Sequence, residues 1–294
     1  MALRAAHGTL LLVAGVAAAC RSDRPAKDTA TPSAAETPPS NASLSTSAPT
    51  TVSVTATDFK LDLPDSIPAG VVTMQLVNQG KEFHHAQLVR FEEGKTAADL
   101  AQAMKAEGPP PSWLKFLGGP NGIAPGATAN ATMLLTPGHY AVLCFIPGPD
   151  GVPHVAKGMI RPFEVTGASA PEAGLPVASD TIRLVDYDFE ASRPITAGSH
   201  TILVENGGPQ EHEIVLIKLA PGKSAKDFGD WAMTMKGPPP GVPVGGLAGL
   251  EKDARGVITA EFTAGDYAYI CFVPDGKDGK PHFAHGMVKQ FTVQ

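Results

Sequence analysis

This sequence is poor in cysteine and in clustered charge, and it has no long apolar run. Three cysteines among 294 residues cannot build a disulfide framework. Cys20 stands alone near the N-terminus, while Cys144 and Cys271 sit in equivalent surroundings, so one free thiol per domain is the natural count. Charged residues make up 18% of the chain, the formal net charge is −6, and no basic run or stripe occurs. That pattern argues against nucleic acid as a partner. The apolar stretch at 9–19 holds eleven residues, well short of the span a membrane-crossing helix needs. Plentiful instead are glycine (31) and proline (28), in a length that suits two β-rich, loop-rich domains.

A repeat of about 128 residues organises the chain from residue 51 onward. Asn78 matches Asn206, His84 matches His212 and Met159 matches Met287, each 128 apart; Cys144 and Cys271 are 127 apart. Strand-like alternation marks 52–57, 71–77 and 128–135 in the first copy, with 182–185, 201–204 and 257–262 in the second. Each copy also predicts one short helix. Thr96-x-x-Asp99 and Ser224-x-x-Asp227 open them as capping boxes, and Gly108 and Gly237, each before a run of prolines, close them. Short strands between Gly, Pro and Asn turns predict two tandem Greek-key β-sandwiches at 51–167 and 179–294, joined by a linker at 168–178.

The stretch with the most chemistry reads GHYAVLCFIPGPDGVPHVAKGM from Gly138 to Met159 and GDYAYICFVPDGKDGKPHFAHGM from Gly265 to Met287. In each, a strand ends at a cysteine and a loop follows with His-x4-Met. Strand alternation puts Tyr140, Val142 and Cys144 on one face, so the sulfur points inward. Thiolate, imidazole and thioether are donors that suit copper. A free cysteine on a core strand also packs as a small hydrophobe, so the sulfur alone decides nothing.

The stretch resembles the copper loop of cupredoxins, the blue-copper family. The resemblance implies an all-β cupredoxin-like fold and four ligands per copy. These are His84, Cys144, His154 and Met159 in the first, and His212, Cys271, His282 and Met287 in the second. It further implies that Asn78 and Asn206, ahead of the first histidine, support the site. The loop departs from the family in length, with nine residues between Cys144 and His154 and ten between Cys271 and His282. His85, His139 and His285 are expected at the surface, and His200 has no constellation around it.

The resemblance implies an exported type 1-like copper protein that passes single electrons between redox partner proteins. Copper capture, delivery or sensing would use the same ligands, and a metal-free interaction module would use only the fold. Two linked cupredoxin domains are also similar to copper nitrite reductases and two-domain laccases. Those enzymes build further copper sites from His-x-His, which this chain lacks, so neither catalysis nor a small-molecule substrate is expected. Residues 1–20 read as a bacterial export signal, in which Ala17-Ala18-Ala19-Cys20 resembles a lipobox and Cys20 the lipidated residue. Residues 21–50, rich in Ser, Thr, Pro and Ala, read as a disordered tether holding the domains off a membrane, in the periplasm or at the cell surface.

Overall fold

The computed structural model describes residues 48–92, 94–103, 110–168 and 174–294, which lie in one compact unit, Ser45–Gln294. The export-signal segment, Cys20, most of the expected tether, Met104, Gly108 and part of the 168–178 linker lie outside the described residues.

The first half comprises β1 (Thr50–Thr57), β2 (Lys60–Asp62), β3 (Ser66–Pro68), β4 (Gly70–Asn78), β5 (Gln87–Phe91), α1 (Ala97–Ala103), β6 (Leu114–Phe116), β7 (Thr128–Leu135), β8 (Gly138–Leu143) and β9 (Ile160–Thr166). The second comprises β10 (Asp180–Val185), β11 (Asp188–Ala191), β12 (Gly198–Asn206), β13 (His212–Leu219), α2 (Ala225–Ala232), β14 (Gly241–Leu250), β15 (Arg255–Phe262), β16 (Gly265–Ile270) and β17 (Val288–Val293). The chain is thus an all-β, cupredoxin-like Greek-key sandwich with one short helix per half. Period-two patterning drives the strands: along β4, Val72, Met74 and Leu76 are buried between less buried neighbours. The capping boxes form, since Thr96 and Asp99, and Ser224 and Asp227, each exchange side-chain-to-backbone hydrogen bonds. On α1 Leu100 is buried and Ala101 is exposed, so the helix buries only a narrow face.

Both halves contribute to one eight-stranded sheet, ordered β11-β10-β12-β15-β7-β4-β1-β2. That order reads the same from both ends once β1, β2, β4 and β7 are matched to β10, β11, β12 and β15. The seam is antiparallel, with Val257 opposite Thr132, and the Asn130 amide exchanges hydrogen bonds of 2.9 and 3.0 Å with the Thr259 backbone.

The facing layer holds two sheets, β3-β9-β8-β5-β6 and β14-β13-β16-β17. Residues 117–123 tie them together. On one side Ala86 and Leu88 N–H donate to Pro120 and Gly118 O; on the other Gly118, Asn121 and Ala248 N–H bond to Gly249, Gly246 and Gly119 O. Bridges Leu117 to Leu250, Pro120 to Leu247 and Ile123 to Val244 place a pseudo-two-fold axis beside Pro120. The strands approach so closely here that a Cβ on Gly119 would meet Ala86 O at 2.1 Å, and one on Gly246 would meet Ile214 O at 2.0 Å. Both glycines have positive φ (+98° and +121°), which other residues adopt only with strain. One apolar core runs through both halves, from Val54 and Met74 through Ile123 and Leu247 to Ile214 and Tyr267.

Candidate metal centre

The loop after each cysteine folds back on itself. Bridges between Pro147 and Pro153, and between Pro274 and Pro281, close it as a small hairpin. The extra residues therefore add a turn without moving the histidine away. His154 N–H donates to Ile146 O at 3.0 Å, and Val155 N–H to Cys144 O at 2.7 Å. A short 3-10 turn, His154–Lys157, then ends at Gly158 in the left-handed region. That returns Met159, whose N–H bonds His154 O and whose O accepts from Cys144 N–H. The second half repeats each step with Cys271, His282, Gly286 and Met287.

The earlier histidine comes from the turn that precedes β5 or opens β13. Asn78 shapes it: its side chain donates to Glu82 O (2.8 Å) and Ile123 O (3.1 Å) and accepts from Gly80 N–H (2.9 Å). Asn206 makes the matching bonds to Gln210 O, Leu250 O and Gly208 N–H. The asparagines thus hold the turn before His84 and His212, Asn78 tying it to residues 117–123 and Asn206 tying it to β14.

These backbones bring all six nitrogen and sulfur donors together in two groups. His84 Nδ1 lies 3.1 Å from His154 Nδ1, and Cys144 Sγ lies 3.5 and 4.0 Å from His154 and His84 Nδ1. In the second group His212 and His282 Nδ1 are 3.0 Å apart, with Cys271 Sγ 3.5 Å from His282 Nδ1. Each of the six, and Met159 and Met287, is fully buried.

The other ring nitrogens face carboxylates. His84 Nε2 bonds Asp58 (3.2 Å), His154 Nε2 bonds Glu82 (2.8 Å) and His212 Nε2 bonds Asp186 (2.6 Å). A proton held on Nε2 by a carboxylate leaves the Nδ1 lone pair directed at the thiol, the arrangement that orients metal-binding imidazoles. His282 Nε2 is buried without a hydrogen-bond partner, with Asp275 at 3.8 Å.

The donor sets fit a metal ion. Two imidazole nitrogens facing each other at 3 Å can share only one proton, whereas both lone pairs and the sulfur can serve one cation. Ligands held about 2.0–2.3 Å from a shared centre stand at separations of this kind. Burial pushes the Cys144 thiol up to about 12 and Cys271 well above its ordinary value. Burial also lowers His84 and His212 despite their carboxylates, and takes His282 down to about 4. His84, His212 and His282 are therefore held neutral and, without a cation, the thiols un-ionised; a bound cation would displace the thiol proton.

The carboxylates were not apparent from the ligand motif, although Asp58 and Asp186 share the 128-residue spacing. The two sites differ here. Glu82 is replaced by Gln210, whose amide bonds Asp186 and Asp275, and Phe59 by Tyr187, whose hydroxyl donates to Asp275.

The other histidines depart from expectation in two places. His85 is buried, not surface-facing, because residues of its own half close over it: Phe145 N–H donates to its Nε2 at 2.8 Å and Asn121 lies beside its Nδ1. His200 does have a partner, Asp180, at 2.7 Å. His139 is exposed, and His285 is partly exposed beside Asp278. Asp275, Asp278 and His285 form a third cluster of metal-binding side-chain types among the described residues.

No family model and no curated protein matches this chain. Solved structures do. A reduced auracyanin from Roseiflexus castenholzii is 23% identical over 41% of this chain and all of its own, with a TM-score of 0.30. The Cu-containing nitrite reductase of Thermus scotoductus is 14% identical over 83% of this chain and 61% of its own (TM-score 0.22). The blue copper oxidase of Nitrosomonas europaea is 14% identical over 84% and 86% (TM-score 0.24). The expectation that this chain is not an enzyme is corrected on this point, because the structures that cover most of it are enzymes by title. No helix among the described residues is long and apolar enough to cross a membrane.

Proposed function

We propose that this chain is a pair of tandem cupredoxin copies holding two type 1-like copper ions and moving single electrons to and from redox partner proteins. His84, Cys144 and His154 would hold one ion with Met159 as a weak fourth donor; His212, Cys271, His282 and Met287 would hold the other. The observation that carries this reading is the convergence of Nδ1, Nδ1 and Sγ in both halves, with three of the four imidazoles braced by partly exposed carboxylates. Copper supplies a one-electron couple between its cuprous and cupric states, and softness of the donor set favours it over oxygen-seeking ions. The protein's part is to keep the thiol and both rings fixed, dry and correctly protonated, so that little has to move when charge changes. Complete burial and braced rings favour a resident ion over one captured and handed on.

The reading includes export, with residues 1–20 as signal and Cys20 as a lipid attachment point. Adding Cu(II) to the metal-free chain lacking residues 1–47 tests the site. Intense visible thiolate-to-copper absorption, halved in Cys144→Ser or Cys271→Ser and absent in the double variant, is expected. Weak colour that survives both serines would make the copper adventitious.

A further inference from the structure

A buried chain of polar side chains crosses the boundary between the halves and joins the residues next to the two cysteines. It starts at Phe145, one peptide bond beyond Cys144, whose N–H donates to His85 Nε2 at 2.8 Å. With Nε2 accepting, the ring proton sits on Nδ1, which faces Asn121 Oδ1 at 3.4 Å. Asn121 Nδ2 donates to Glu213 Oε2 at 2.9 Å. Glu213 Oε1 accepts from Phe272 N–H at 3.0 Å, one peptide bond beyond Cys271. The ends are also pinned directly, because His85 N–H points at Cys144 Sγ and Glu213 N–H at Cys271 Sγ, both at 3.5 Å.

Several features set this chain apart from ordinary satisfaction of buried groups. His85 and Glu213 occupy equivalent positions in the repeat yet differ in chemistry, and each performs the same task of taking the N–H that follows its cysteine. Asn121 sits next to the pseudo-two-fold axis, and its counterpart Ala248 has no polar side chain, so a single amide serves both halves. A buried carboxylate is costly, and apolar side chains would fill such a boundary at least as stably. The route contains covalent bonds and four hydrogen-bond contacts with no larger gap. Electron tunnelling weakens least through bonds, more through hydrogen bonds and most across empty contacts.

We propose that His85, Asn121 and Glu213 form an internal relay that carries single electrons between the two Cys/His centres, which rests on the copper reading above. In each event one electron leaves the cuprous centre at Cys144 and enters the cupric centre at Cys271, or the reverse. One ion is oxidised and the other reduced by one electron; no atom, proton or bond changes place. The molecule can then accept an electron at one half and release it from the other.

The test uses the copper-loaded chain carrying Met287→Leu, which separates the potentials and spectra of the two centres through the axial donor. A light-triggered donor delivers less than one electron per chain, and absorption follows its redistribution. Expected is a first-order phase independent of protein concentration, slowed at least tenfold by Asn121→Leu while the copper count, paramagnetic resonance and potentials of both centres stay as they were. Gln87→Leu is the control, since Gln87 bonds Gly118 O and Gly249 O at the same boundary but off the route. It should leave the phase within about twofold. Should Asn121→Leu fail to fold, His85→Leu breaks the same route one link earlier and is expected to give the same slowing. Equal slowing by Gln87→Leu, or none by Asn121→Leu, overturns the relay and leaves the copper reading standing. Fewer than two bound coppers in the parent chain removes the copper reading and the relay with it.

Discussion

The carboxylates behind the imidazoles decide how well the side chains of each site are poised. Asp58 on His84 and Asp186 on His212 fix the ring tautomer, and a lost partner of this kind typically costs about 10–100-fold in metal affinity. Asp58→Asn is therefore expected to weaken copper at the first site by that order, read by competition with a chelator, and to leave the second unchanged. The convergent histidines and cysteines were legible in the sequence because His, Cys, His and Met recur in that order 127 or 128 residues apart. Their carboxylates were not, since Asp58 lies 26 residues before His84 and Glu82 72 before His154, distances at which no local period connects them. His85 misled for the same reason: strand alternation turns it away from His84, but the face it turns to is covered by Asn121 and Phe145, 36 and 60 residues further on. Away from the metal centres, Asp180 gives a pH prediction. Arg193, then Ser179 and His200, hold its carboxyl well below the usual carboxylate range. The unfolded chain therefore binds the proton first, so this stabilisation is complete above the unfolded pKa and is lost as pH falls below about 4. Asp180→Asn should lower stability at pH 7 by about 1–2 kcal/mol, because solvent screens the half-exposed Arg193, and flatten the acid limb of a plot of Tm against pH.

Among the elements, the Cys-to-His hairpin and the 117–123 segment carry the site. The hairpin was readable as a loop with Gly and Pro turns; that it closes on paired prolines was not, because closure depends on contacts within the folded site. The strands with clean alternation, such as 128–135, match what the sequence predicts residue for residue. β14 does not announce itself, because GVPVGGLAGL shows no alternation: its glycines serve close approach to Ile214 and to residues 117–123. Gly119→Ala tests this directly. Its Cβ would lie 2.1 Å from Ala86 O at φ +98°, and the expected result is a loss of more than about 1–3 kcal/mol by chemical denaturation. Gly126→Ala, also at positive φ but with open space around it, should cost less.

At the scale of the whole molecule, a repeat in sequence has become one body. The expected boundary at 168–178 falls between β9 and β10, yet the halves share a sheet, a core and the segment beside the pseudo-two-fold axis. Cutting the chain within 174–178 should leave both halves associated through size-exclusion chromatography, and separation of the fragments would contradict the shared core. On the proposed function, each of the two buried clusters holds a one-electron copper centre. A reductive titration of the copper-loaded chain, with copper counted on the same sample, tests it most directly. Two coppers and two electrons per chain, with visible absorption bleaching in proportion, are predicted. Bound copper that takes up no electrons, or electrons taken up without loss of the thiolate absorption, would contradict the account.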